Sequence, residues 1–156
     1  MDTKYKKIRP TDLYLSIVGD NTPSEADLWM GNVPNQWGNR ASGNDFIDLF
    51  AGLVRRYGLS PAKFYAKTLG VEYRSLIGAI QAMCGMGAID FIHEYLNLMA
   101  CELVEKTELS MTEIAKKLGC SSSVTFCRFF KLMNKCQPIE YRNLKLYGKK
   151  ISYHYY

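Results

Sequence analysis

Val124, Cys127, Arg128 and Lys131 give one side of a short segment a thiol, two cations and a small apolar tip. Their spacing of i, i+3, i+4 and i+7 puts them on one face of a helix. The opposite side carries Phe126, Phe129, Phe130 and Met133 at the same spacing, a stripe suited to burial. Ser121, Ser122 and Ser123 precede the run and offer candidate N-caps. Groups of this kind bind rather than catalyse. Cations meet phosphate, and short polar or apolar tips meet base edges in a duplex groove. The same face would also serve as an ordinary solvated surface, whereas the Phe stripe reads as core.

Covalent and metal chemistry find no arrangement to support them. There is no G-x-S-x-G, no Gly-rich phosphate loop followed by Lys and Ser or Thr, and no H-E-x-x-H. His93-Glu94 lacks the second His, and Cys101 lies two helical turns beyond His93, too far for the side chains to meet unaided. The five cysteines (Cys84, Cys101, Cys120, Cys127 and Cys136) are odd in number and contain no C-x2-C pair, which argues against a disulfide framework or a zinc site. They read as small buried or half-buried thiols. We therefore expect no catalytic residue, no metal ligand and no cofactor, and a protein that is not an enzyme.

The elements that position the basic face follow from its flanks. Ile114 and Leu118 share one side of a preceding short helix, and Gly119 stands where a left-handed residue can end it. Short helix, Gly turn and second helix together form the layout of a helix-turn-helix. A related pattern occurs about 50 residues earlier: LSPAKFYAKTLG at 59–70 resembles LSMTEIAKKLG at 109–119. Leu76 and Ile80 then correspond to Phe126 and Phe130. Upstream, Phe46, Leu49, Phe50, Leu53 and Val54 make an apolar helical face after Asn44 or Asp45, and Gly58 ends the run. Ser60 reads as cap and Pro61 as first residue of the next helix. Between the two units, residues 88–106 read as one helix about 28 Å long, comparable with one DNA turn of about 34 Å.

The ends are less regular. Leu13–Val18 reads as a short strand, and Ile151, Tyr153 and Tyr155 alternate with polar residues as a second candidate to pair with it. Residues 30–44 are rich in Gly, Asn and Pro and read as a loop, with Trp29 or Trp37 expected to pack on the domain. Residues 111–156 hold nine Lys and Arg against two Glu, a charge of +7 that leaves −2 for the rest of a chain totalling +5. A basic end on a mildly acidic body is the footprint of polyanion binding. The 156 residues suffice for one domain or two very small ones, and no apolar run approaches the roughly 20 residues of a membrane span. The N-terminus lacks the apolar segment of a secretion signal, so a cytoplasmic location is expected, with no membrane partner.

The residues Thr112-Glu113-Ile114-Ala115, Leu118-Gly119, Phe126-Cys127-Arg128-Phe129-Phe130-Lys131 and Pro138-Ile139-Glu140-Tyr141-Arg142 resemble, in order and spacing, the C-terminal helix-turn-helix of AraC/XylS transcription regulators. Cys120 stands where that family usually has an aromatic, and the family's Arg early in the connecting helix is replaced by Tyr95, Leu96 and Asn97. The resemblance covers 46–142. It implies an all-α fold of two homeodomain-like helix-turn-helix subdomains joined by a long helix, and the residues before them read as a short, poorly structured N-terminal arm. We place the arm at 1–44, the first subdomain at 45–87, the linker helix at 88–106, the second subdomain at 107–145 and a tail at 146–156.

The resemblance also implies double-stranded DNA as partner, with RNA polymerase or a regulatory protein as a further one; oligomeric state is left open. It assigns Ser123, Val124 and Cys127 to base-facing positions, with Ser122 exposed beside them; Arg128 and Lys131 are better placed for phosphate or for structural pairing. Val124 can touch a thymine methyl, but none of the three base-facing residues makes the bidentate contacts of Arg, Asn or Gln, so the phosphate contribution should be large. In the first unit the outward set is Arg74, Ile77, Gly78 and Gln81, where Ile77 and Gly78 replace the family's polar residue and Arg. That face either approaches DNA or another chain closely, or serves as scaffold. Two functions remain: a sequence-specific transcription regulator, or a protein-interaction module of the same fold without specific DNA reading.

Overall fold

The structure, a computed structural model, describes residues 7–17, 24–30 and 44–151. These form helices α1 (Pro10–Leu13), α2 (Glu25–Trp29), α3 (Asp45–Tyr57), α4 (Ala62–Leu69), α5 (Tyr73–Cys84), α6 (Ala88–Lys106), α7 (Met111–Lys117), α8 (Ser123–Asn134) and α9 (Pro138–Ile151), with no strand among the described residues. The architecture is all-α, two helix-turn-helix units sharing α6.

Local chemistry sets the helix ends. The Asn44 side chain accepts from the N–H groups of Phe46 and Ile47 at 3.0 and 3.1 Å, using two donors that the first turn of α3 cannot satisfy itself. Ser110 and Glu113 cap α7 reciprocally: the Ser110 hydroxyl accepts from the Glu113 N–H (3.1 Å), and the Ser110 N–H donates to the Glu113 carboxylate (2.9 Å). Helix α4 corrects an expectation. Its cap position is Pro61, with extended backbone at ψ 154°, and the helix starts one residue later than expected, so Ser60 does not cap it.

Helix α6 is the spine. Phe91, Ile92, Tyr95, Leu96, Met99, Ala100, Leu103 and Val104 are all buried along it. Phe50 of α3 packs on Phe91 with ring centres 5.2 Å apart. On the other side Phe126 and Phe130 of α8 pack edge to face, and Phe130 meets Tyr141 of α9 in the same way. Each fully buried Phe contributes about 1.5–3 kcal/mol over leaving it in water. Arg142 ties α9 to the end of α6, its Nε donating to the Val104 carbonyl at 2.8 Å. Among the described residues no single helix is long and apolar enough to cross a membrane.

The N-terminal segment departs from the strand expectation. Pro10–Leu13 is a helical turn with Pro at its first position, and residues 14–17 run on without a partner strand; Val18 lies outside the described residues. Tyr14 and Ser16 both reach the Glu102 carboxylate of α6 at 2.5 Å, and the Ile17 N–H joins them at 2.8 Å. Arg55 of α3 donates to the carbonyls of Leu15 (2.5 Å) and Ser16 (3.0 Å) from the other side. Extended backbone here is anchored by side chains, so two of its carbonyls and one N–H find partners without a sheet. Lys7 and Ile8 donate to the carbonyls of Ala82 and Met83 at the end of α5. The Trp expectation fails for Trp29, which is 51% exposed; its neighbour Leu28 is the buried anchor, and Trp37 lies outside the described residues. At the C-terminus, residue 151 is helical rather than strand, and 152–156 lie outside the described residues.

Candidate nucleic-acid interface

Helix α8 has two unlike sides. Phe126, Phe129 and Phe130 are buried, while Ser122, Arg128 and Lys131 are exposed and Ser123 and Cys127 are half-buried. Val124 is 59% exposed, an apolar tip held in water. Ser122 is the N-cap, its hydroxyl accepting from the Thr125 N–H at 3.2 Å. Burial pushes the Cys127 thiol up, so it stays protonated as a small, weakly polar group. The six residues expected of this unit thus lie together along one face and its cap.

Two contacts fix α8 on the spine. Asn97 and Asn134 exchange amide hydrogen bonds in both directions, at 3.0 and 2.7 Å. The His93 ring stands edge to face on Phe129, centres 5.5 Å apart. Burial lowers the His93 pKa, opposed by Asp90, so the ring is held toward its neutral form. Of the three residues that replace the family's Arg, Tyr95 and Leu96 are buried and Asn97 is engaged with Asn134. That stretch serves packing.

In the first unit Arg74, Gly78 and Gln81 are exposed on α5 and Ile77 is half-buried. Gly78 faces open space, with nothing within 4 Å of where a side chain would begin. The starts of α5 and α8, at 73 and 123, lie 50 residues apart. At that offset Tyr73 holds the place of Ser123, a correspondence absent from the expected site. Tyr73 is 40% exposed, and the Lys63 ammonium of α4 sits 5.7 Å from its ring centre. Lys63 and Lys67 are exposed on α4, as Lys116 and Lys117 are on α7. The repeat offset applied beyond the core positions would have found Tyr73.

Beyond this surface, a cleft of about 310 Å³ is lined by Leu59, Ser60, Pro61, Ile89, Ile92 and His93. It carries one imidazole and one hydroxyl on apolar walls. Cys101 donates toward Asn97 and Asn134 at 3.7 and 3.5 Å. No group of three or more His, Cys, Asp or Glu is placed to hold a metal among the described residues.

Fold and site together define a double helix-turn-helix protein with α8 presenting the more basic face. Residues 65–144, just over half of the chain, match the family model described as "Helix-turn-helix domain", which is of the AraC type. The chain belongs to this AraC/XylS-type family of DNA-binding transcription regulators, a family of regulators and not of enzymes. It is similar to the C-terminal domain of the two-component response regulator yesN from Fusobacterium nucleatum, with 20% identity and TM-score 0.57 over 64% of this chain and 99% of that one. It is also similar to the C-terminal domain of AraT, a response regulator from Geobacillus stearothermophilus, at 26% identity and TM-score 0.54 over 60% of this chain and 77% of that one. A third similar structure is the DNA-binding domain of AdpA in complex with a target DNA, at 19% identity and TM-score 0.52 over 61% and 84% of the two chains. A comparison with curated proteins returns no significant match.

Proposed function

We propose that this protein is a sequence-specific transcription regulator that inserts α8 into a major groove of double-stranded DNA. Ser123, Val124 and Cys127 face base edges, while Ser122, Arg128 and Lys131 meet the backbone. Helix α5 docks in the adjacent groove through Arg74, Ile77, Gly78 and Gln81, with 88–106 as the rod between subdomains 45–87 and 107–145. The observation that carries this reading is the segregation on α8: three Phe are sunk into the protein while the cationic face is left in water. The +7 charge of 111–156 supports it. Because the reading face is poor in bidentate donors, phosphate contacts supply much of the affinity.

The half-buried Ile77 and the bare Gly78 favour a second reading for the first unit, as scaffold or protein-contact surface. In the extreme, the whole chain is a protein-interaction module without specific DNA reading. A mobility-shift assay against fragmented genomic DNA at about 50 mM salt, where phosphate contacts are strongest, separates the readings. Retarded, competitor-resistant bands support the regulator; no retardation supports the module.

A further inference from the structure

A rod alone would leave two units free to bend and twist about its axis. A second connection lies off that axis. The Leu59 N–H, in the turn between α3 and α4, donates to the Leu118 carbonyl at the end of α7 at 2.8 Å. Around this bond the two units touch main chain to main chain. A Cβ at Gly58 would lie 2.1 Å from Leu118 O and 2.5 Å from the carbonyl carbon. A Cβ at Gly119 would lie 2.6 Å from Tyr57 O and 3.2 Å from Gly58 Cα. Such approaches to backbone have no flexible end to yield, so the crossing closes only with glycine on both sides.

The molecule supplies its own control. Gly70 and Gly119 are repeat equivalents, and both sit at φ +73°. Around Gly70 a Cβ would meet nothing within 4 Å. A left-handed turn is thus a sufficient reason for glycine at 70, whereas at 119 the neighbouring backbone adds a second.

We propose that the Gly58–Gly119 crossing is a positioning device that fixes α5 relative to α8, so that the chain accepts a DNA site of one spacing only. This rests on the reading that both helices dock on DNA. One inserted base pair moves the second groove by about 3.4 Å and turns it by about 35°, which a closed junction cannot follow.

The test compares the full chain with Gly119→Ala and Gly70→Ala. Residual dipolar couplings of the free proteins should fit one alignment tensor across both units in the wild type and in Gly70→Ala, and require two in Gly119→Ala. The DNA probe is a duplex selected by the wild type from a random-sequence pool, and the same duplex with one base pair inserted between its half-sites. Insertion should weaken the wild type and Gly70→Ala at least tenfold and Gly119→Ala less than threefold. A single tensor with unchanged spacing preference in Gly119→Ala overturns the proposal. If no duplex is selected, the spacing claim falls with the docking reading, while the tensors still report whether the crossing joins the units. Should Gly119→Ala fail to fold, hydrogen exchange of the wild-type Leu59 amide decides. Slowing on the order of 1,000-fold over an unstructured chain is expected, and exchange at the rate of an open loop refutes the crossing.

Discussion

Replacing Arg128 and Lys131 together by Ala removes two cations from the exposed face of α8 and leaves its buried side untouched. Surface changes of this type shift folding stability by about 0.5 kcal/mol or less, so any loss of binding is read against an intact fold. Each phosphate contact contributes about 0.9 to the slope of log affinity against log salt. Two lost contacts therefore flatten that slope by about 1.8. At 0.1 M salt the same arithmetic gives a loss of about 1.8 decades, roughly 60-fold. Fluorescence anisotropy on one labelled duplex, at several salt concentrations between 50 and 200 mM, yields slope and affinity together, with far-ultraviolet circular dichroism as the check on folding. An unchanged slope and affinity in a folded double variant would refute the assignment of these two residues to phosphate, and with it the orientation of α8.

Lys135 closes α8 at φ +66°, the only non-glycine residue with positive φ among the described residues. Lys135→Gly should stabilise the protein by about 1 kcal/mol, a rise of about 2–4 °C in Tm by thermal denaturation; no rise would mean that the lysine is locally compensated. Burial alone would raise the Glu102 carboxyl, but the hydrogen bonds from Ser16, Tyr14 and the Ile17 N–H, with Lys106 beyond them, hold it below its usual 4.5. A lowered carboxylate contributes fully above the unfolded value and is lost as pH falls through the folded one. Protection of the Ile17 amide should therefore persist above about pH 4.5 and fade below it, and Glu102→Gln, which keeps an oxygen acceptor but no ionisable carboxyl, should remove that pH dependence. The His93 pKa is lowered below 6.5, chiefly by burial. The unfolded chain then takes up the proton first, so urea midpoints should fall as pH drops from 6.5, and His93→Gln should flatten that decline.

What the amino-acid order reveals here is mostly short-range. Ser122–Met133 can be read because aromatic and cationic residues segregate at helical spacing, and burial enforces that segregation. The 88–106 helix is legible from its helical spacing, and its range agrees with α6; Gly87 before it and Thr107 after it have extended backbone in the structure. The N-terminal segment is opaque because its order comes from Glu102, 88 residues from Tyr14, and from Arg55; neither leaves a periodic trace. Gly58 and Gly119 each read locally as a helix stop, which is correct, but their mutual contact is a property of the assembled chain. Tyr73 is hidden by its type, since an aromatic at the start of a helix suggests core more readily than surface. Lys135 reads as one more basic residue, and its left-handed backbone shows only once the end of α8 is located.

The proposed DNA docking turns on which side of α8 meets the duplex. Intermolecular nuclear Overhauser effects between the Val124 methyl groups and a bound duplex test this most directly, because that side chain projects into solvent from the cationic face. Cross-peaks to major-groove protons, thymine methyls included, are expected, with none from the buried Phe126 and Phe130 rings. A folded complex in which Val124 shows no such cross-peaks, and in which the DNA contacts map to another surface, would contradict it.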